Sequence, residues 1–221
     1  TISTEIRSRL PKVGLDRKDI QDKAQEITKE VCSLLDKHLA KSPYMLGDHP
    51  TLADLGMMNA MWGHLYLDPC DASMFIRNDY LHLSNWITNM HSGSGISDQG
   101  ELYIADTLIP LLRYLSDAFA NMMTDILSAA DKTLSTVEAG TEAPAGLGKI
   151  ETSLQDAELS RPATAYTAWR LQKVIEQYQA IPAAQKPATD DLLTDIGFLS
   201  VCQHQPKWKM QKDNFKLFVA S

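Results

Sequence analysis

From Asp16 to about Lys41 the apolar residues Ile20, Ala24, Ile27, Val31, Leu34 and Leu35 recur at steps of three and four. The spacing predicts an amphipathic helix, roughly 39 Å long if unbroken. "KSPYMLGDHP" at 41–50 reads as a loop, with Gly47-Asp48 and Pro50 as turn signals. The segment from Thr51 to about Tyr66 has a different pattern. Leu52, Leu55, Met57, Met58, Met61, Trp62 and Leu65 cover nearly its whole circumference, which predicts a helix enclosed by the core. Gly56 and Gly63 share one face of it. They would admit a second backbone, at a cost of about 1 kcal/mol each relative to Ala.

"DPCDASMFIRN" at 68–78 is a connecting stretch with room for a short helix. Leu83, Trp86, Ile87 and Met90 mark the next amphipathic helix, closed by "SGSG" at 92–95. The longest pattern runs from Leu102 to about Val137, through Leu108, Leu112, Leu115, Phe119, Met122 and Ile126. Pro110 either kinks this helix or delays its start. "AGTEAPAGLG" at 139–148 has the composition of a linker, and "KIETSLQDAELSR" at 149–161 alternates around a central Asp-Ala like a small β-hairpin. Helical periodicity resumes after Pro162 with Leu171, Val174, Ile175 and Tyr178; a last helix is expected over 183–197, before an irregular basic tail. No strand–helix–strand alternation appears. The expected fold is all-α, a helical bundle with a long kinked helix and a small hairpin insertion near 149–161. Its expected organisation is a core over 1–138, a linker over 139–148, and a helical extension over 149–221 packed on the core.

The totals narrow the function classes. The 221 residues are 44% apolar and 22% charged, ordinary for a globular chain. With 21 basic and 28 acidic side chains the net charge is −7, which argues against a general nucleic-acid binder. Cys32, Cys70 and Cys202 are odd in number and widely spaced, so a reducing, cytoplasmic location is expected rather than a disulfide framework. No apolar run approaches the roughly 18 residues that a transmembrane helix needs. The first residue is Thr, and "TISTEIRSRL" already reads as the end of a helix, so a longer parent chain is expected.

At 51–54, "TLAD" places Thr51 at an N-cap and Asp54 three residues on. The threonine hydroxyl can accept from the backbone N–H of Asp54 at N3, and the carboxylate can reach back to the N–H of Thr51. Such a cap is worth about 1 kcal/mol, and the charge also meets the positive pole of the helix dipole. A structural role for Thr51 and Asp54 therefore outweighs a catalytic one.

Leu46-Gly47-Asp48-x-Pro50-Thr51-Leu52-Ala53-Asp54, followed by Tyr80-x-x-Leu83-x-x-Trp86-x-x-x-Met90, resembles the C-terminal helical domain of the glutathione transferase superfamily over about 16–91. Residues 101–221 are similar to a longer bacterial branch, through "YTAWRLQ" at 166–172 and the ending "DNFKLFVA". The resemblance implies that the capping box opens a buried central helix and that Trp86 belongs to a helix packed on it. It also implies one wall of a second-substrate pocket and a homodimer surface; from the residues themselves Trp62 and Tyr66, with His64, could line such a wall, although ordinary core aromatics are the simpler reading. In that family glutathione and the thiolate-stabilising Tyr, Ser or Cys belong to a thioredoxin-like domain, to which nothing in this sequence corresponds. No catalytic residue carries over, and no cofactor is expected of this chain alone. Glutathione would be a co-substrate only with an upstream thioredoxin-like domain.

Other constellations are weaker. His64, Asp68, Cys70 and Asp71 crowd into eight residues but fit no metal-ligand order, so no metal is expected. Cys202 and His204, two apart, rarely converge and have no orienting third group. No Gly-x-Ser-x-Gly elbow marks a hydrolase. The methionines Met57, Met58, Met61, Met122 and Met123 suit adaptable packing. In "KWKMQKDNFK" at 207–216, four lysines face one aspartate. They could meet phosphate or a membrane surface, with Trp208 and Phe215 stacking or inserting, although a tail laid back across the helices is the simpler reading. Two functions follow. One is the substrate-side helical part of a protein that conjugates or reduces small electrophiles with glutathione. The other is a non-catalytic binding or assembly module of the same fold.

Overall fold

The computed structural model describes residues 5, 8–68, 71–93 and 99–220, apart from the side chains of Lys12, Asp71 and Ala72. The helices are α1 (Lys18–Leu39), α2 (Leu52–Ala60), α3 (Asp71–Asp79), α4 (Leu81–Ser92), α5 (Ile109–Leu134), α6 (Ala165–Gln179), α7 (Lys186–Asp195) and α8 (Leu199–Cys202). Two antiparallel hairpins accompany them: β1 (Gly146–Leu154) with β2 (Ala157–Thr164), and β3 (Met210–Asp213) with β4 (Lys216–Val219). The chain divides into two compact units, one of residues 25–115 and the other of residues 1–24 with 116–221. The boundaries fall inside α1 and α5, and residues 139–148, expected to separate two domains, lie within the second of these units.

In the 25–115 unit, the predicted face of α1 is buried at Ile27, Val31 and Leu35, together with Leu83, Trp86 and Ile87 of α4. The Asp36 carboxylate of α1 accepts from the backbone N–H of Leu83 at 3.0 Å, satisfying a first-turn donor of α4. Gly93, with φ of 69°, ends that helix in a left-handed turn. His38 is fully buried. Its Nε2 donates to the Tyr44 carbonyl at 3.1 Å, which leaves Nδ1 to accept from the Thr107 hydroxyl at 2.9 Å. A short ladder joins the 44–48 loop to 101–103, with Asp48 N to Glu101 O at 3.0 Å and Tyr103 N to Leu46 O at 3.2 Å.

The expectation for 51–66 needs correction. The α-helix ends at Ala60 and continues as a π-helical turn over Met61–Tyr66, with Leu67 N donating to Trp62 O at 3.2 Å. Nor is the helix enclosed: Leu52 is 85% and Leu55 60% exposed, and no atom lies near where a Cβ on Gly56 or Gly63 would stand. An apolar circumference states what a helix could bury. It does not say that a covering surface is present. Pro110 is the second residue of α5, so it starts that helix instead of kinking it, as its fixed φ and missing N–H favour there.

In the other unit, α5 and the β1–β2 hairpin share a core that includes Met122, Ile126, Leu127, Ile150, Leu154, Leu159 and Ala163. The hairpin turn is Gln155–Asp156, one residue before the expected centre, with Gln155 at a φ of 52°. The expected linker and irregular tail are both partly ordered into strand pairing. Gly140 N donates to Val219 O and Ala143 N to Leu217 O, each at 2.8 Å, and Val219 N donates to Thr141 O at 3.0 Å. Residues 140–143 thus extend the β3–β4 hairpin by a third segment. The expected last helix over 183–197 is shorter, at Lys186–Asp195. Trp208, weighed above as an inserting residue, is buried in the base of this tail.

Candidate functional site

Asp54 is fully buried and saturated with donors. Its Oδ1 accepts from Met45 N at 2.9 Å and Trp86 Nε1 at 3.3 Å; its Oδ2 accepts from Thr51 N at 2.9 Å and the Thr51 hydroxyl at 3.0 Å. Thr51 Oγ1 in turn accepts from Ala53 N at 3.2 Å. Thr51 and Asp54 form the reciprocal cap of α2, and the same carboxylate ties the 44–48 loop and α4 to it. All four lone-pair directions are used, so nothing is left to take a proton from a substrate. Asp54 is a structural residue.

One π-helical turn further on, Trp62 and Tyr66 lie stacked, with centroids 5.6 Å apart and planes 19° apart. The imidazole of His91, in the last turn of α4, stacks on Trp62 at 3.7 Å. The Arg77 guanidinium of α3 lies 4.5 Å from the Tyr66 ring centre, and its Nη2 donates to the Tyr66 carbonyl at 2.6 Å. The two aromatic rings are half-buried, while His91 and Arg77 are exposed. A run of flat groups, His91–Trp62–Tyr66–Arg77, therefore reaches the surface of this unit. Cations over rings gain from the ring quadrupole, and π turns recur at binding sites. Arg77 and His91 escaped the sequence reading, because they come from other helices at no fixed spacing from Trp62.

The remaining candidates do not converge. His64 Nδ1 lies 3.8 Å from Asp68 in an exposed pair; Cys70 and the Asp71 side chain lie outside the described residues. Among the described residues, no group of three His, Cys, Asp or Glu side chains could hold a metal ion. His204 turns away from Cys202 to place Nε2 3.1 Å from Asp131. In the 116–221 unit, a cleft of about 550 Å³ lies between α5 and the first hairpin. Its lining includes Asn121, Thr124, Asp125, Glu151, Thr152 and Glu158, and holds no aromatic, His or Cys side chain.

Burial also silences the two described cysteines. It pushes the Cys32 thiol up to about 12 and raises that of Cys202, where Lys186 pulls partly the other way. At pH 8 the Cys32 thiolate fraction is then on the order of 10⁻⁴. In the native chain at that pH, iodoacetamide should leave both residues unmodified over the time that fully labels the urea-unfolded chain. Peptide mass spectrometry reads this directly, and native labelling of Cys32 at the unfolded rate would contradict its burial.

The described helices of residues 25–92 are organised around one capped helix, α2, whose Asp54 joins the 44–48 loop and α4. Residues 9–92 match the family model "Glutathione S-transferase, C-terminal domain". No curated protein and no solved structure matches the chain. Among the described residues, no helix is long and apolar enough to cross a membrane.

Proposed function

We propose that this chain is the substrate-side part of a glutathione transferase-like protein. In this reading the solvent-facing edges of Trp62 and Tyr66, with the outer face of the His91 imidazole, meet a planar electrophile, and Arg77 holds the Tyr66 ring in place. Thiol activation is the task of a thioredoxin-like domain, and the co-substrate is glutathione. The observation that carries the reading is the stacked run His91–Trp62–Tyr66–Arg77, which leaves aromatic surface accessible on a family-matched domain. A flat apolar wall with a few polar groups is the usual lining of a small-molecule site.

The test uses chlorodinitrobenzene. Added to the chain it should quench the Trp62 component of the fluorescence, defined as the part lost in Trp62→Phe. With glutathione added, the chain alone should form no conjugate. Equal quenching in Trp62→Phe would remove the site, and turnover at transferase-like rates would remove the division of labour.

A second reading, as a non-catalytic assembly module, is favoured by the exposed Leu52 and Leu55 on α2 and by exposed Met74 and Leu81. Exposed apolar side chains of this kind suit a docking surface, a homodimer included. Concentration-dependent sedimentation abolished by Leu52→Glu, together with absence of Trp62 quenching, would select it.

A further inference from the structure

The β3–β4 hairpin closes through a two-residue turn, Asn214–Phe215, with φ values of 42° and 68°. Both central residues of such a turn are left-handed, and Asn-Gly is the pair that suits it. Here phenylalanine stands where glycine fits, and a bulky side chain in that region is strained. Its ring is 93% exposed, so it gains almost no burial in exchange. The base beneath it is held firmly. Met210 exchanges two hydrogen bonds with the buried Gln172 side chain, at 2.8 and 3.0 Å, and β4 pairs with 140–143 on its other edge.

Lys212 and Lys216 flank the turn, and Lys207 and Lys209 lie at the foot of the hairpin. Lys207, Lys209, Lys212 and Lys216 are all exposed, and the Lys212 ammonium lies 5.5 Å from the Phe215 ring and 5.4 Å from that of Trp169. Of the nearby carboxylates, Glu142 is paired with Lys216 at 2.7 Å, Glu176 on α6 with Lys173 at 2.6 Å, and Asp131 with His204 at 3.1 Å while accepting from Lys207 N, which leaves Asp213 beside Lys207, Lys209 and Lys212. The chain as a whole carries −7, so an anionic surface repels most of it and attracts this corner.

We infer that the β3–β4 tip is a docking element for an anionic lipid surface, with Phe215 entering the headgroup layer and the flanking lysines meeting lipid phosphates and carboxylates. A single projecting ring suits a fluid interface, which yields to it without a shaped pocket, and basic side chains beside an aromatic group are the usual pairing there.

Co-sedimentation of the full chain with phosphatidylcholine vesicles, with and without phosphatidylserine, tests this. Binding is expected only with phosphatidylserine, to weaken as salt rises, and to fall about tenfold in Phe215→Gly. The same glycine relieves the turn, so its melting temperature should equal or exceed that of the parent chain, which separates lost docking from lost folding. Lys207→Glu with Lys209→Glu should weaken binding similarly. Absence of phosphatidylserine-dependent binding, as a protein pocket for the ring would give, overturns the inference. So does undiminished binding by Phe215→Gly, or a lower melting temperature, which would make the ring part of the fold.

Discussion

Replacing Asp54 with alanine should destabilise the 25–115 unit by about 3–5 kcal/mol, because four donors lose their acceptor at once. The Met45 N–H and the Trp86 indole N–H lie in the interior, where water replaces the lost bond poorly. The Thr51 N–H and hydroxyl lie nearer the surface and recover part of theirs. Substitution by asparagine separates the contributions. It keeps one carbonyl oxygen to accept but turns an NH₂ toward two donors, so it should cost somewhat less than alanine. Urea unfolding followed by tryptophan fluorescence measures both, since Trp86 is itself one of the donors. An unchanged midpoint for Asp54→Ala would mean that the carboxylate is not the junction of these segments.

The second large effect is expected at Gly47. With a φ of 114° it lies in a region that side chains rarely enter, and a Cβ there would press into the Glu101 carbonyl oxygen and stand only 3.2 Å from Leu102 Cα. The three nearest atoms all belong to the backbone of residues 101–103, so no flexible side-chain end is there to move aside. Gly47→Ala should therefore open the ladder between the 44–48 loop and 101–103, at about 2–4 kcal/mol. The loop also carries the Met45 N–H, so the damage extends to the cap of α2. Loss of slow amide exchange at Asp48 and Tyr103 would report the opening, and retention of both with unchanged stability would refute it.

The parts of the fold legible in the sequence are those written in local pattern. Ile20, Ile27, Val31 and Leu35 mark the buried face of α1 by spacing alone, and the alternation around Leu154 and Leu159 marks the first hairpin. "TLAD" points to a cap because its chemistry is complete within four residues. The tail hairpin escaped because its turn is Asn-Phe, which lacks the glycine that usually announces such a turn. The strand character of 140–143 escaped because its partner lies in β4, far along the chain. Exposure of α2 is a third kind of miss: leucine and methionine positions define an apolar surface, but what covers it is a tertiary fact. The candidate site was half legible. Trp62 and Tyr66 are one turn apart and could be paired on paper, whereas Arg77 and His91 reach them only through the packing of α3 and α4.

Past Met210, whose N–H and C=O are taken by Gln172, β3 has no second strand partner among the described residues, and Gln211, Lys212 and Asp213 are all exposed there. An unpaired strand edge is a template for adding another strand, and charge along it is the common deterrent. Here an ammonium and a carboxylate sit in adjacent positions of a strand only four residues long. A neighbouring copy would have to strip water from both to pair for so short a stretch, so this margin resists runaway polymerisation.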